Sequence, residues 1–221
     1  MRYYRYILFD LDGMLLDTSE GVYECVKYAL KSFGIEVTDD ESLKPYMGPP
    51  LKYSFCRFHG LTPEQAEQAL KLYREKYNSG GMYRCRMFGG VPELLAELKK
   101  RGHILGLATS KPERNAVLLM KHFGLDEYLD EITGASLDDS RSDKLSVVIE
   151  ALRRFGNPDK RDVLLIGDRR YDTVGAHGAG ISSFGVYMGC AEPGEHEEAG
   201  ADYITVGIDG LSKALLESDP E

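Results

Sequence analysis

Asp10 and Asp12 stand two apart and run straight into Gly13, so a turning backbone can aim both carboxylates into one crevice. Much later, Gly167-Asp168-Arg169-Arg170-Tyr171-Asp172 sets two more carboxylates behind a glycine. Four converging acids would repel one another strongly. Mg²⁺, a hard ion served by carboxylates, water and substrate phosphate, is the economical compensation. Thr109-Ser110-Lys111-Pro112 offers hydroxyls and free N–H groups ahead of a helix, an arrangement that suits a phosphate oxygen. Lys144 follows the polar loop 137–143, where an ammonium can offset both the acids and a transferring phosphoryl group. Plainer uses exist for the same residues. Asp10 and Asp12 fit a solvated turn, Asp168 and Asp172 fit helix caps, and Lys144 fits a solvated helix start with Lys111 as a competitor for its role.

These residues need strand ends to hold them, and the sequence supplies them. Residues 4–9 are short, rich in β-formers and followed at once by Asp10. Similar apolar runs recur at 103–109, 131–135, 162–166, 182–187 and 202–206, and helical patterns cover 91–101, 113–123, 144–155 and 172–179. Strands alternating with helices predict an α/β fold, a Rossmann-like doubly wound parallel sheet whose ligands sit at the carboxyl ends of the strands. Residues 18–83 break the alternation and read as all-helical. Val22, Cys25, Val26, Ala29, Leu30 and Phe33 form one stripe, and Thr62-Pro63-Glu64 opens a further helix. The expected organisation is a core domain of 1–17 and 84–221 with an inserted helical cap domain of 18–83, and the glycine pairs at 80–81 and 89–90 suit a hinge. Gly175-Ala-His-Gly-Ala-Gly180 lacks the spacing of a nucleotide loop and reads as close helix packing.

A chain of 221 residues predicts one large domain with a smaller unit attached. Its 27 Lys and Arg against 36 Asp and Glu give a net charge of −9, which disfavours nucleic acid and anionic lipid as partners. Hydrophobic residues at 43% exclude a mainly disordered protein. No run reaches the ~18 apolar residues of a membrane span, and no signal-peptide pattern opens the chain. A cytoplasmic protein, monomer or homodimer, is expected. The four cysteines lack any C-x-x-C pair and read as reduced thiols.

Asp10-Leu-Asp-Gly, Thr109, Lys144 and Gly167-Asp168-x-x-x-Asp172, in this order on expected strand ends, resemble the haloacid dehalogenase superfamily of aspartate-nucleophile phosphatases. The resemblance covers essentially the whole chain. A helical cap after the first motif is similar to the phosphoglycolate-phosphatase and 5′-nucleotidase branch. The strings Gly48–Phe55, Gly134–Lys144 and Gly167–Asp172 are similar to its bacterial 5′-nucleotidase-like subgroup.

The resemblance implies a mechanism. Asp10 would attack phosphorus and Asp12 would act as general acid and base. Mg²⁺ would be held by Asp10, the backbone carbonyl of Asp12, Asp168 and Asp172, the last directly or through water. Thr109 and the Ser110 N–H would hold phosphoryl oxygens beside Gly13, and Lys144 would neutralise charge. Lys52 and Arg57 of the cap are candidates for substrate contact, with a solvated face as the other reading. The implied substrate is a small phosphomonoester, a nucleoside 5′-monophosphate ahead of phosphoglycolate or a sugar phosphate. A phosphomutase is disfavoured because such enzymes tend to carry Glu-Asp where this chain has Gly167-Asp168. A phospho-ligand-binding domain without catalysis is the reading from another class, and the full set of acids argues against it. Two residues depart from the commoner pattern. Met14 stands near the cap entry where Thr or Val is usual, which would alter the leaving-group pocket. Arg169 stands at an expected rim, where it would bind a second anion or pair with Asp172.

Overall fold

The computed structural model describes residues 1–138 and 140–217; Asp139 of the polar loop lies outside the described residues. The chain divides into two compact units, one of Met1–Leu16 with the chain from Met87 onward, the other of Asp17–Arg86.

The first unit opens with β1 (Tyr6–Phe9), and β2 (Leu16–Asp17) leads out of it. Three helices follow in the second unit: α1 (Ser19–Lys31), α2 (Leu51–His59) and α3 (Pro63–Asn78). The chain leaves through β3 (Arg86–Met87), which pairs with β2. α1 buries Val22, Cys25, Val26, Ala29 and Leu30, a stripe at helical spacing. Its start is served by Asp17, whose Oδ1 accepts from the Ser19 N–H at 3.2 Å while Oδ2 takes the Arg86 guanidinium at 2.9 Å. α3 begins with a reciprocal cap: Thr62 Oγ1 accepts from the Gln65 N–H at 3.3 Å and Gln65 Oε1 accepts from the Thr62 N–H at 2.9 Å.

The first unit continues through α4 (Val91–Lys100), β4 (Ile104–Pro112), α5 (Glu113–Phe123), β5 (Glu131–Ala135), α6 (Lys144–Arg154) and β6 (Val163–Gly167). It ends with α7 (Arg170–Ala179), β7 (Ser182–Tyr187), α8 (Glu195–Ala199), β8 (Tyr203–Val206) and α9 (Gly207–Leu216). Six strands form one parallel sheet in the order β5-β4-β1-β6-β7-β8. Winding runs outward from β1 through β4 to β5, then restarts at β6 on the other flank. That reversal opens a crevice at the carboxyl ends of the central strands. Leu8, Val163 and Leu165 of the sheet pack on Val147, Val148, Ala151 and Leu152 of α6 and on Ala176 and Ala179 of α7 in one buried cluster. Each large aliphatic side chain so buried contributes about 1.5–3 kcal/mol, which pins α6 and everything attached to its first turn.

Two departures from expectation matter for function. β4 runs on to Pro112, which pairs with Ala135, but the ladder shifts register between Ala108 and Pro112. Thr109, Ser110 and Lys111 therefore sit in an irregular stretch, a device that re-aims side chains beside active sites. α9 is not expected from the sequence because Gly207 and Gly210 weaken its helical signal; Leu211 and Leu215, four apart and buried, hold it to the core. No helix among the described residues is long and apolar enough to cross a membrane.

Candidate active site

Asp10 is the first residue beyond β1, and its backbone N–H donates to the Ile166 carbonyl at 2.8 Å. The ends of β1 and β6 are thus in step, with Phe9 registered against Ile166 on one side and Leu107 on the other. Asp168 leaves β6 one residue after its last, and Asp172 sits in the first turn of α7. Ligating oxygens of Asp10, Asp168 and Asp172 all lie within 4.8 Å of one another, and all three residues are buried.

Lys144 is what makes that crowding tolerable. It stands on the same face of α6 as Val147, Val148 and Ala151, three, four and seven residues on, so the helix that buries those side chains also buries the lysine. Its Nζ lies 2.7 Å from Asp10 Oδ1 and 2.7 Å from Asp172 Oδ1, and donates to the Ala108 carbonyl at 2.9 Å. Burial opposes the charge, yet the facing carboxylates of Asp10 and Asp172 hold its pKa above the ordinary lysine value. Gly175 of α7 admits the stem: a Cβ there would lie 2.5 Å from Lys144 Cγ.

Asp168 is fully buried. Its Oδ2 accepts from the Cys190 N–H at 3.0 Å, whereas its Oδ1 accepts no hydrogen bond. Two glycines with positive φ, Gly13 and Gly189, close around this carboxylate; a Cβ would fall 2.0 Å from Asp168 Oδ2 at the first and 2.6 Å at the second. Burial first, then the charges of Asp172 and Asp10, raise its pKa well above the usual carboxylate value. Asp172 combines the two uses open to it. Its Oδ2 accepts from the Arg169 N–H at 3.1 Å and caps α7, while its Oδ1 faces Lys144. Burial together with Asp10 pushes its pKa up to about 6 against the opposing pull of Lys144.

Asp12 is turned elsewhere. Its carboxylate lies 3.0 Å from Lys111 Nζ and is not part of the three-acid cluster, so its side chain does not join Asp10, Asp168 and Asp172 as a metal ligand. Thr109 is buried, and its Oγ1 accepts from the Lys111 N–H at 3.2 Å, which folds the irregular end of β4 back on itself. Ser110 is half-buried beside it.

Arg169 corrects an expectation. The guanidinium does not stand at a rim and does not pair with Asp172; it is buried, with Nε 3.0 Å from Glu195 Oε1 of α8. Spacing could not reveal this because Glu195 belongs to a five-residue helix with almost no periodic signal. Met14 has no exposed surface. Lys52 and Arg57 lie on exposed positions of α2 in the other unit, Lys52 paired with Glu67 at 2.7 Å. Two contributors carry no clear mark in the sequence. Spacing offers Lys111 and Lys144 as rivals for one role, whereas both are present with different acids. The Gly189–Cys190 turn carries no charged residue to mark it.

The residues present fit a divalent cation. Asp168 Oδ1 is a buried oxygen without a donor, and a carboxylate in that state wants a positive partner. The three clustered carboxyl groups have the Lys144 ammonium beside them, and the Lys111 ammonium lies on Asp12. An all-oxygen donor set is what a hard ion selects.

A family model described as haloacid dehalogenase-like hydrolase matches residues 7–186. The chain belongs to the haloacid dehalogenase-like hydrolase family. It is 39% identical over 186 residues to a protein of Pseudomonas aeruginosa named 5′-nucleotidase, covering 84% of each. To a Mycobacterium tuberculosis protein named tyrosine-protein kinase PtkA it is 34% identical over 211 residues, 95% of this chain and 72% of the other. Among solved structures, one described as a predicted phosphatase from Clostridium acetobutylicum superposes with a TM-score of 0.92 at 40% identity, covering 97% of this chain and 99% of that one. This haloacid dehalogenase-like chain is a phosphatase enzyme, and its parallel α/β core is the family's fold.

Proposed function

We propose that this phosphatase is a Mg²⁺-dependent hydrolase of small phosphomonoesters, with a nucleoside 5′-monophosphate as the preferred substrate. The observation that carries the proposal is the buried Lys144 ammonium between Asp10 and Asp172 with the unsatisfied Asp168 oxygen alongside. The nucleotide preference rests on the similarity to the relative named 5′-nucleotidase. Phosphoglycolate or a sugar phosphate is the substrate class next in line.

A carboxylate oxygen of Asp10 forms a bond to phosphorus as the bond from phosphorus to the ester oxygen breaks, leaving an aspartyl-phosphate. Asp12 in its protonated form gives its proton to the departing alkoxide. In the second half, the Asp12 carboxylate takes a proton from a water molecule whose oxygen bonds to phosphorus, and the Asp10 oxygen leaves as a carboxylate. Thr109 and the Ser110 N–H hold phosphoryl oxygens. Lys144 keeps Asp10 apart from Asp172 in charge, and Lys111 exchanges Asp12 for a phosphoryl oxygen when substrate arrives. Asp10, Asp168, Asp172 and the Asp12 backbone carbonyl are the groups that would hold Mg²⁺. When bound, the ion supplies positive charge against the acids and the phosphoryl oxygens.

A panel of phosphomonoesters assayed with Mg²⁺ and with EDTA tests the reading. Chelation is expected to stop phosphate release; release from no ester, or release indifferent to EDTA, overturns it. Asp12→Asn is expected to retain slow turnover, about 10²–10⁴-fold reduced, while Asp10→Asn retains almost none. Equal residual rates in the two variants would remove Asp10 from the nucleophile's role.

A further inference from the structure

Lys144 Nζ is held 2.7 Å from each of two carboxylates, yet its backbone follows a polar loop directly. What fixes the end of that loop is Arg141. Its Nε donates to the Gly134 carbonyl at 2.8 Å and one terminal nitrogen lies 3.0 Å from Glu113 Oε2. Its backbone carbonyl and N–H also bond to Ser136, at 2.8 Å and 2.9 Å. Arg141 is therefore clamped to the end of β5 three residues before Lys144. Glu113 in turn is the first residue of α5 and directly follows the Thr109–Pro112 stretch. The same Glu113 Oε2 accepts from the Gly134 N–H at 3.1 Å and from Arg154, the last residue of α6, at 2.9 Å. One carboxylate thus receives a guanidinium from just before α6 and another from its far end. Arg154 is itself braced by Glu131 and Glu150, at 2.9 Å and 2.8 Å.

We infer that Arg141, acting through Glu113, is a positioning residue that sets the register of Lys144 against Asp10 and ties it to the Thr109–Lys111 stretch. The inference rests on the catalytic reading of Lys144 given above. Neither Arg141 nor Glu113 touches the three-acid cluster, so their contribution is geometric. A surface ion pair would contribute little. This pair differs because both side chains are two-thirds or more out of water, at 21% and 31% exposure, and Arg141 also donates to a backbone carbonyl, which converts charge into fixed orientation. Misplacement by about 1 Å can cost on the order of 10²-fold in rate.

The experiment is a double-mutant cycle of Arg141→Ala with Lys144→Arg in the full chain. It is read as kcat and KM with Mg²⁺, and independently as binding of beryllofluoride followed by ¹⁹F NMR. Arg141→Ala is expected to lower kcat by about 10–100-fold with KM within about 2-fold, to weaken beryllofluoride binding, and to do neither in the Lys144→Arg background. Arg141→Lys, which lacks the planar fork, recovers only part of the loss. An equal proportional loss in both backgrounds, or no loss in either, overturns the inference. Should Arg141→Ala unfold, Glu113→Gln replaces it, because it keeps shape and Gly134 contact while losing charge. A fully active Lys144→Arg, or a wild type that binds no beryllofluoride, is a distinct result that brings down the reading of the site itself and this inference with it.

Discussion

Oδ1 of Asp10 and Nζ of Lys144 lie 2.7 Å apart, and both side chains are almost entirely out of water. Removing one partner of such a pair leaves the other as an uncompensated charge, at a cost of about 3–5 kcal/mol. Lys144→Met is therefore expected to lower the melting temperature by roughly 10 °C, besides reducing kcat/KM by about 10²–10³-fold. Differential scanning calorimetry with a parallel phosphatase assay checks both, and an unchanged melting temperature would show that the pair carries no such stability.

Asp168 behaves in the opposite sense. A carboxyl whose folded-state pKa is raised contributes most below its unfolded value of about 3.9. That contribution is lost as pH rises through the raised folded value. In metal-free protein Asp168→Asn should melt above wild type at pH 8, and the advantage should shrink toward pH 4. Thermal melts in EDTA at both pH values decide it, and an asparagine variant less stable than wild type at pH 8 would contradict the assignment of burial as the dominant cause.

Metal affinity should follow the same groups. Asp172, pushed up to about 6, and Asp168, raised well above its ordinary value by burial, must release protons before they can coordinate a cation. Mg²⁺ affinity measured by calorimetry should be weak at pH 5 and rise through pH 7, with protons released on binding. A flat profile across that range would separate the acids from the ion.

Gly189→Ala tests the packing around Asp168. Its φ of +56° disfavours any side chain, and a Cβ would meet the Gly13 carbonyl oxygen at 2.4 Å. The Asp168 carboxylate must give way, so Mg²⁺ affinity and turnover should fall by at least about tenfold for a stability loss of only about 1–3 kcal/mol. Wild-type Mg²⁺ affinity in this variant would mean that the turn does not shape the site.

The parts that could be read from the chain alone are those with local signatures. Strand ends at Asp10 and Asp168 announce themselves as apolar runs broken by acid and glycine, and α1 and α6 by their stripes. Lys144 is legible from its place at a helix start behind the polar loop and from the order of the motifs, whereas its burial on the core face of α6 shows only in the structure. What stayed hidden depends on long-range closure. The Arg169–Glu195 pair, the Cys190 N–H on Asp168 and the division of two lysines between Asp10 and Asp12 each join segments whose approach no spacing encodes. The irregular β4–β5 ladder is hidden likewise, since pairing across strands leaves no mark in either strand's own pattern.

β1 and β6 are immediate neighbours in the sheet, in register through Phe9 and Ile166. Parallel neighbours are spaced by about 4.8 Å whatever side chains they carry, so the gap between the roots of Asp10 and Asp168 is inherited from the lattice of peptide hydrogen bonds. Insertions and substitutions elsewhere can accumulate without disturbing that interval, which leaves the inserted helices at liberty to diversify while the reacting centre keeps its gauge.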